Sequence, residues 1–242
     1  MKTFQMKTKH FIAFLGFLFL AAGTFAQKPT KTLWSDNGWA TDVTNVADIT
    51  TDWNGIIVVG KSQKGIIEIH QFDPGSESSK RKTPMKKLSS TDGFAKGPWA
   101  IEAFRNVQQQ NYLFISYANT GSAEIYKIND DYTIGEKTWE TNGWEKGIKH
   151  ACVLNSKFMF VMRSGQGWAW IIKITHDGKL EKITWSTQGW AKGIEGVTRI
   201  GNNRLLLSKP TGAAWIFPVN NLGELRNSVW NTSGWAEGIT AV

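Results

Sequence analysis

Cysteine, proline and histidine are scarce in this chain: one, six and four among 242 residues. A lone Cys152 excludes an intramolecular disulfide, so the fold must hold by packing. In its apolar setting, between Ala151 and Val153–Leu154, the thiol reads as a small buried side chain. His10 lies near the N-terminus, and His70, His150 and His176 form neither an HExxH nor a paired metal spacing. There is no GxSxG, no P-loop and no dinucleotide-binding glycine pattern between a strand and a helix. Beyond the first 26 residues, no ten-residue window carries a helical stripe. These absences lead us to expect no cofactor and no metal, and a binding protein in place of an enzyme.

Long apolar runs are equally rare. The one that stands out is FIAFLGFLFLAA, from Phe11 to Ala22, preceded by Lys2, Lys7 and Lys9 and no acid. It is short for a membrane span, which needs about 20 residues. Small residues at Thr24 and Ala26 complete the pattern of a secretory leader, residues 1–26. The expected location is secreted, periplasmic or cell-surface, with no membrane span once the leader is gone. Losing the leader lowers the formal charge from +8 to +5. The densest basic stretch, Lys80, Arg81, Lys82, Lys86 and Lys87, reads as a solvated loop and not as a nucleic-acid or membrane patch. No nucleic-acid partner is expected.

What the chain does have is tryptophan, 13 residues of it, and glycine, 24. They recur together. A glycine–aromatic pair stands at Gly38-Trp39, Gly93-Phe94, Gly143-Trp144, Gly189-Trp190 and Gly234-Trp235, at intervals of 55, 50, 46 and 45. Another tryptophan precedes the aromatic by five residues at Trp34, Trp139, Trp185 and Trp230, with Ser89 in the second copy. A second glycine follows at Gly97, Gly147, Gly193 and Gly238, with Asp42 in the first copy. Between motifs, four short β-rich runs alternate with Gly, Asn and Asp turns, which is hairpin patterning. In the last unit the runs are Val197–Ile200, Arg204–Ser208, Ala213–Val219 and Glu224–Trp230.

Four antiparallel strands at this period predict an all-β fold, a β-propeller of four-stranded blades. A parallel β-helix has a shorter coil, a β-sandwich needs no corner motif five times over, and a β-trefoil repeats three times. The expected repeats are residues 41–94, 95–144, 145–190 and 191–235, within a domain spanning 27–242. Residues 31–40 and 236–242 read as a split partial fifth. They lack its two middle strands, so the chain either closes as a four-bladed ring with extra ends or is a piece of a longer protein, the second being the favoured expectation.

The motif has a packing reading, in which large flat side chains fill the wedge between blades. It also has a binding reading, in which rings stack on sugars beside polar donors. For the second, the candidate ligand-binding residues are Trp39, Phe94, Trp144, Trp190 and Trp235, with Lys61, Tyr117, Arg163 and Lys209 at the ends of the second strands. The Gly-Trp corner, the period and the five copies resemble the tachylectin-like five-bladed propeller lectins over residues 31–242. That resemblance implies glycan partners, N-acetylated or fucosylated, with one weak site per blade and avidity from several. Ser89 and the insertion around 76–87 depart from the pattern. The expected function is a secreted, lectin-like carbohydrate binder. The alternatives are an extracellular protein-interaction propeller, or a non-catalytic propeller part of a larger surface protein or glycan hydrolase.

Overall fold

The computed structural model describes residues 42–49, 55–72, 85–144, 146–163, 165–201 and 203–237, with side chains to 234. All belong to one compact unit, Ala40–Val242. The expected leader, the half-repeat 31–40, Trp39 and residues 238–242 lie outside the described residues. Every helix-length segment described is free of helix, so none is long and apolar enough to cross a membrane.

Sixteen strands form four sheets. The first blade holds β1 (Asn45–Asp48), β2 (Ile56–Lys61), β3 (Ile66–Phe72) and β4 (Met85–Thr91). The second holds β5 (Trp99–Arg105), β6 (Asn111–Tyr117), β7 (Ala123–Ile128) and β8 (Ile134–Thr141). The third holds β9 (His150–Asn155), β10 (Phe158–Arg163), β11 (Trp168–Ile174) and β12 (Leu180–Thr187). The fourth holds β13 (Gly196–Arg199), β14 (Arg204–Ser208), β15 (Thr211–Pro218) and β16 (Trp230–Glu237). Each sheet is an antiparallel meander in sequence order, and the four are arranged as the blades of a four-bladed propeller. The first strands pack in succession, β1 against β5, β5 against β9 and β9 against β13.

The core lies between blades. Alternation along a strand sends every second side chain to one face, and the face turned to the next blade is apolar. Val58, Phe114, Phe160 and Leu206 hold the same register position in the four second strands, three before the strand-end residue, and all are buried. Three clusters follow. The first joins blades one and two through Val58, Ile69, Leu113 and Ile115. The second joins blades two and three through Phe114, Ile125, Met159 and Val161. The third joins blades three and four through Phe160, Ile171, Leu205 and Leu207.

The outer strands share a defect. In the first three blades one extra residue interrupts the pairing just before the motif position. It is Leu88, Thr138 or Thr184, a one-residue bulge that turns the strand locally. Trp139 and Trp185 then face the following blade. In the first blade Ser89 stands there instead and donates to the Tyr132 carbonyl of blade two, 2.6 Å away. The bulge residue Thr184 crosses the gap between blades three and four, donating to the Gly223 carbonyl at 2.8 Å.

A second contact sets the blade spacing. The ring of Tyr112, near the start of β6, lies under the third turn of the next blade, where a β-carbon at Gly178 would sit 2.5 Å from it. Phe158 of β10 lies under Gly223 in the same way, also 2.5 Å. Both glycines have positive φ, 79° and 78°, so they are required twice over, by conformation and by space. The equivalent residue of blade two is Tyr132, still left-handed at φ 62°. It follows the smaller Ile56 of blade one, and both pack in the same cluster.

The fourth outer strand differs from expectation. The sequence suggests Glu224–Trp230, whereas β16 runs from Trp230 to Glu237. Pro218 at the end of β15 has no amide hydrogen, so a ladder cannot continue past it with donors from both sides. Residues 224–229 instead give single bonds to the carbonyls of Pro218 and Ile216 and one bridge, Val219 to Leu225. Ala236 and Glu237, expected in a split fifth blade, pair instead with Gly212 and Thr211, so they belong to the outer strand of the fourth, and no fifth blade is seen among the described residues.

The aromatic-under-glycine contact is testable by urea unfolding. Gly178→Ala is expected to cost about 2–3 kcal/mol, from left-handed strain plus overlap with Tyr112. In a Tyr112→Ile background the same change should cost measurably less, because the ring is gone. Equal costs in both backgrounds would show that the ring contact is not the cause.

Candidate functional site

The motif builds a corner where one blade hands over to the next. Its first glycine has positive φ at Gly93, Gly143, Gly189 and Gly234. Its second has positive φ at Gly97, Gly147 and Gly193, and Asp42 takes the same left-handed turn at φ 64°. The turn between the second and third strands of each blade folds onto its own corner. Phe94 N–H donates to the Gly65 carbonyl at 3.2 Å, and Ala191 N–H to that of Gly167 at 3.0 Å.

The motif aromatics enter the gap to differing depths. Phe94 is 9% exposed and meets Trp99 and Tyr126 of blade two edge-on, at 6.1 and 5.4 Å. Trp144 is half-buried against Phe114 and Trp139, at 6.4 and 6.0 Å. Trp190 sits between Trp185 and Phe217, at 5.6 and 5.0 Å, and is 37% exposed. The packing role expected for the motif is therefore present at all three described corners, and one corner also presents an indole to solvent. The side chain of Trp235 lies outside the described residues.

The four strand-end residues occupy equivalent places, and three are seen to engage the third strand of their own blade. Lys61 pairs with Glu68 at 3.0 Å. The Tyr117 hydroxyl donates to Glu124 at 2.5 Å. The Lys209 ammonium stands 5.7 Å from the centroid of Trp215. Glu68, Glu124 and Trp215 share one register position, each opposite the residue two before the strand-end side chain. Burial pushes the Glu68 carboxyl up, but the hydrogen bonds and charges of Lys61, His70 and Lys87 bring it below its ordinary range. Burial, and then the bond to Glu124, raise the Tyr117 phenol. Burial and the same carboxylate push Tyr126 up to about 12.

Two of these residues also close over the preceding corner. A β-carbon at Gly147 would lie 3.2 Å from Nε of Arg163, and one at Gly193 would lie 3.9 Å from Cε of Lys209. At the first corner the neighbour is Asn119, whose Nδ2 would be 2.7 Å from a β-carbon at Gly97. Each corner thus carries an aromatic ring from one blade and a hydrogen-bond donor from the next. In sequence, between each aromatic and its second glycine, stands a lysine that is not among the candidate residues named from the sequence: Lys96, Lys146 or Lys192, each exposed, each two after the aromatic. The signal was in the aligned motif, which reads FAKG, WEKG and WAKG.

A second feature had no signal in the sequence. The first strands of all four blades line a central cavity of about 730 Å³. Asp48, Glu102, Arg105, Lys149, Glu195 and Arg199 reach it from four different strands or their ends. Glu102 accepts the amide hydrogen of Val153 in the next blade at 2.8 Å. Burial pushes its carboxyl up to about 7, against the pull of the Val153 bond and the Arg199 charge and with a push from Asp48. Burial lowers His150 and raises the Cys152 thiol. Among the described residues, no group of three or more His, Cys, Asp or Glu side chains is placed to hold a metal ion.

No protein-family model matches the chain. No curated protein sequence matches it either. Solved structures do share its fold. A functionally unknown protein from Desulfotomaculum acetoxidans is 14% identical with a TM-score of 0.58, over 84% of this chain and 62% of that one. Sqt1 of Chaetomium thermophilum, solved bound to the N-terminus of the ribosomal protein L10, is 14% identical with a TM-score of 0.53, over 84% and 52%. A humanized mutant of the Chaetomium thermophilum Polycomb Repressive Complex 2, bound to the inhibitor GSK126, gives 11% and 0.55, over 81% and 43%. The chain therefore spans between 43% and 62% of these solved chains. At such identities the likeness is one of fold.

Glu102 makes the inter-blade contact pH-dependent. Its folded-state affinity for a proton exceeds that of an unfolded carboxyl, so its contribution is full at low pH and is lost as pH rises through about 7. Between pH 5 and 8 the wild type should lose on the order of 2–3 kcal/mol relative to Glu102→Gln. His150, lowered by burial, acts in the opposite sense in both proteins and cancels in the difference. Urea midpoints across this range check it, and parallel pH profiles would remove the effect.

Proposed function

We propose that the chain is an exported, non-catalytic binding propeller that recognises carbohydrate at its blade corners. The observation that carries this reading is Trp190, the most exposed tryptophan described, held edge-to-face by Trp185 and Phe217. A sugar ring offers an apolar C–H face, and an indole whose plane is fixed by neighbours binds it with little loss of side-chain freedom. Lys192 and Lys209 stand beside the same corner, where donors for hydroxyl or acidic groups are needed. Repetition of the corner supplies weak sites whose combined avidity exceeds any one of them.

A second reading, protein recognition, draws on the similarly folded Sqt1, solved bound to a protein N-terminus. The two are separable. Under the carbohydrate reading the full chain is retained on a glycan array, and Trp190→Ala weakens retention about tenfold while costing about 2 kcal/mol of stability. Phe94→Ala should cost about 2–4 kcal/mol, because that ring is buried in the gap. No retention on any glycan, together with a pulled-down protein that free sugars do not displace, would transfer the function to the second reading.

A further inference from the structure

Among the described lysines, some stand beside a carboxylate and others, including Lys86, Lys157 and Lys182, do not; the corner lysines are set apart from the latter by their place in the repeat. Lys61, Lys64, Lys87, Lys137, Lys173 and Lys179 each stand within 4 Å of a carboxylate. Lys96, Lys146 and Lys192 make no ion pair among the described residues, and all three are exposed. They occupy one position of the repeat. Each is followed by a glycine of positive φ, so its backbone direction is set by the same turn three times. Each stands two residues after a motif aromatic. Each neighbours a glycine over which the next blade lays a donor: Asn119, Arg163 or Lys209.

That combination is specific in its chemistry. A neutral sugar needs donors and acceptors in mixture, because each hydroxyl is both. These corners offer a ring and donors, two of them cationic at the second corner, where Arg163 lies against Gly147 beside Lys146, and two at the third, where Lys209 lies against Gly193 beside Lys192. We infer that the carbohydrate is anionic, with its carboxylate or sulfate group held between the corner lysine and the donor of the following blade. This rests on the carbohydrate reading and narrows it. The corners are unequal. The first carries the exposed Asp92, and the second has Glu145 in sequence, whereas the third has the neutral Gln188 and Ala191 at those places. The third corner is therefore the strongest, and Lys192→Gln has the largest single effect.

The test titrates the full chain with dextran, carboxymethyl-dextran and dextran sulfate at about 0.15 M salt, where diffuse surface attraction is screened beyond about 8 Å. The corner triple variant Lys96→Gln/Lys146→Gln/Lys192→Gln is set against a charge-matched control, Lys86→Gln/Lys157→Gln/Lys182→Gln, built from exposed lysines outside the corners. The corner variant should weaken binding of both charged dextrans about tenfold or more, and the control less than about twofold. Equal losses in the two triples would show diffuse charge alone and overturn the inference. So would neutral dextran binding as tightly as the charged polymers. If neutral dextran is bound, is lost in Trp190→Ala and is indifferent to the corner triple, the anionic inference falls and the carbohydrate reading stands. If no dextran, charged or neutral, is bound and a glycan array is also blank, both fall.

Discussion

A four-stranded meander has two faces and too little material to bury either alone. Everything in this propeller depends on laying one face of each blade on the next. The contact is made twice over, near the cavity by aliphatic and phenyl side chains, and toward the rim by a ring pressed against a turn. Tyr112 under Gly178 and Phe158 under Gly223 leave no room for a β-carbon. Where the ring is replaced by Ile56, the turn of the following blade accepts Tyr132 in the same left-handed conformation. Bulk has moved across the gap from one blade to the next, and the filled space is conserved by a change on each side.

The same constraint explains why the corners look like binding sites. A turn that must bring the chain from the outer strand of one blade to the first strand of the next needs left-handed residues, hence the glycines. It also needs a large side chain to fill the opening wedge, hence the aromatics. A ring, a tight turn and a polar strand end from the next blade meet for reasons of packing. Whether a ring is available to a ligand is then a matter of depth. Phe94 is sealed by Trp99 and Tyr126, while Trp190, with a neighbour on each side, still reaches solvent. The binding role proposed for Trp190 therefore rests on a packing element whose outer edge stays exposed.

The central cavity follows a different logic. Its charged groups come from strands that are far apart in the chain, and Glu102 is tied to the next blade by a single amide of Val153. Burial, more than any partner, sets its proton affinity. That places a titrating group with an affinity near neutral pH at the centre of the fold, where it reports on the packing of blades two and three.

The sequence by itself determined the repeat, the strands of the first three blades and the corner. These depend on local turn chemistry and on an alternation of apolar side chains, both of which survive in a string of letters. It also located Lys61, Tyr117, Arg163 and Lys209 at equivalent strand ends. It could not say what those side chains touch. Their partners depend on register across a hairpin and on the blade beyond, so Glu68 and Glu124 in two blades and Trp215 in another answer to one position. It misplaced the last outer strand, because Pro218 ends a ladder only once the neighbouring strand is known. Only the tertiary structure decided which motif ring is sealed and which is open, and which lysines stand without an acid. Exposure is a property of the gap between blades, and each wall of that gap comes from a different repeat.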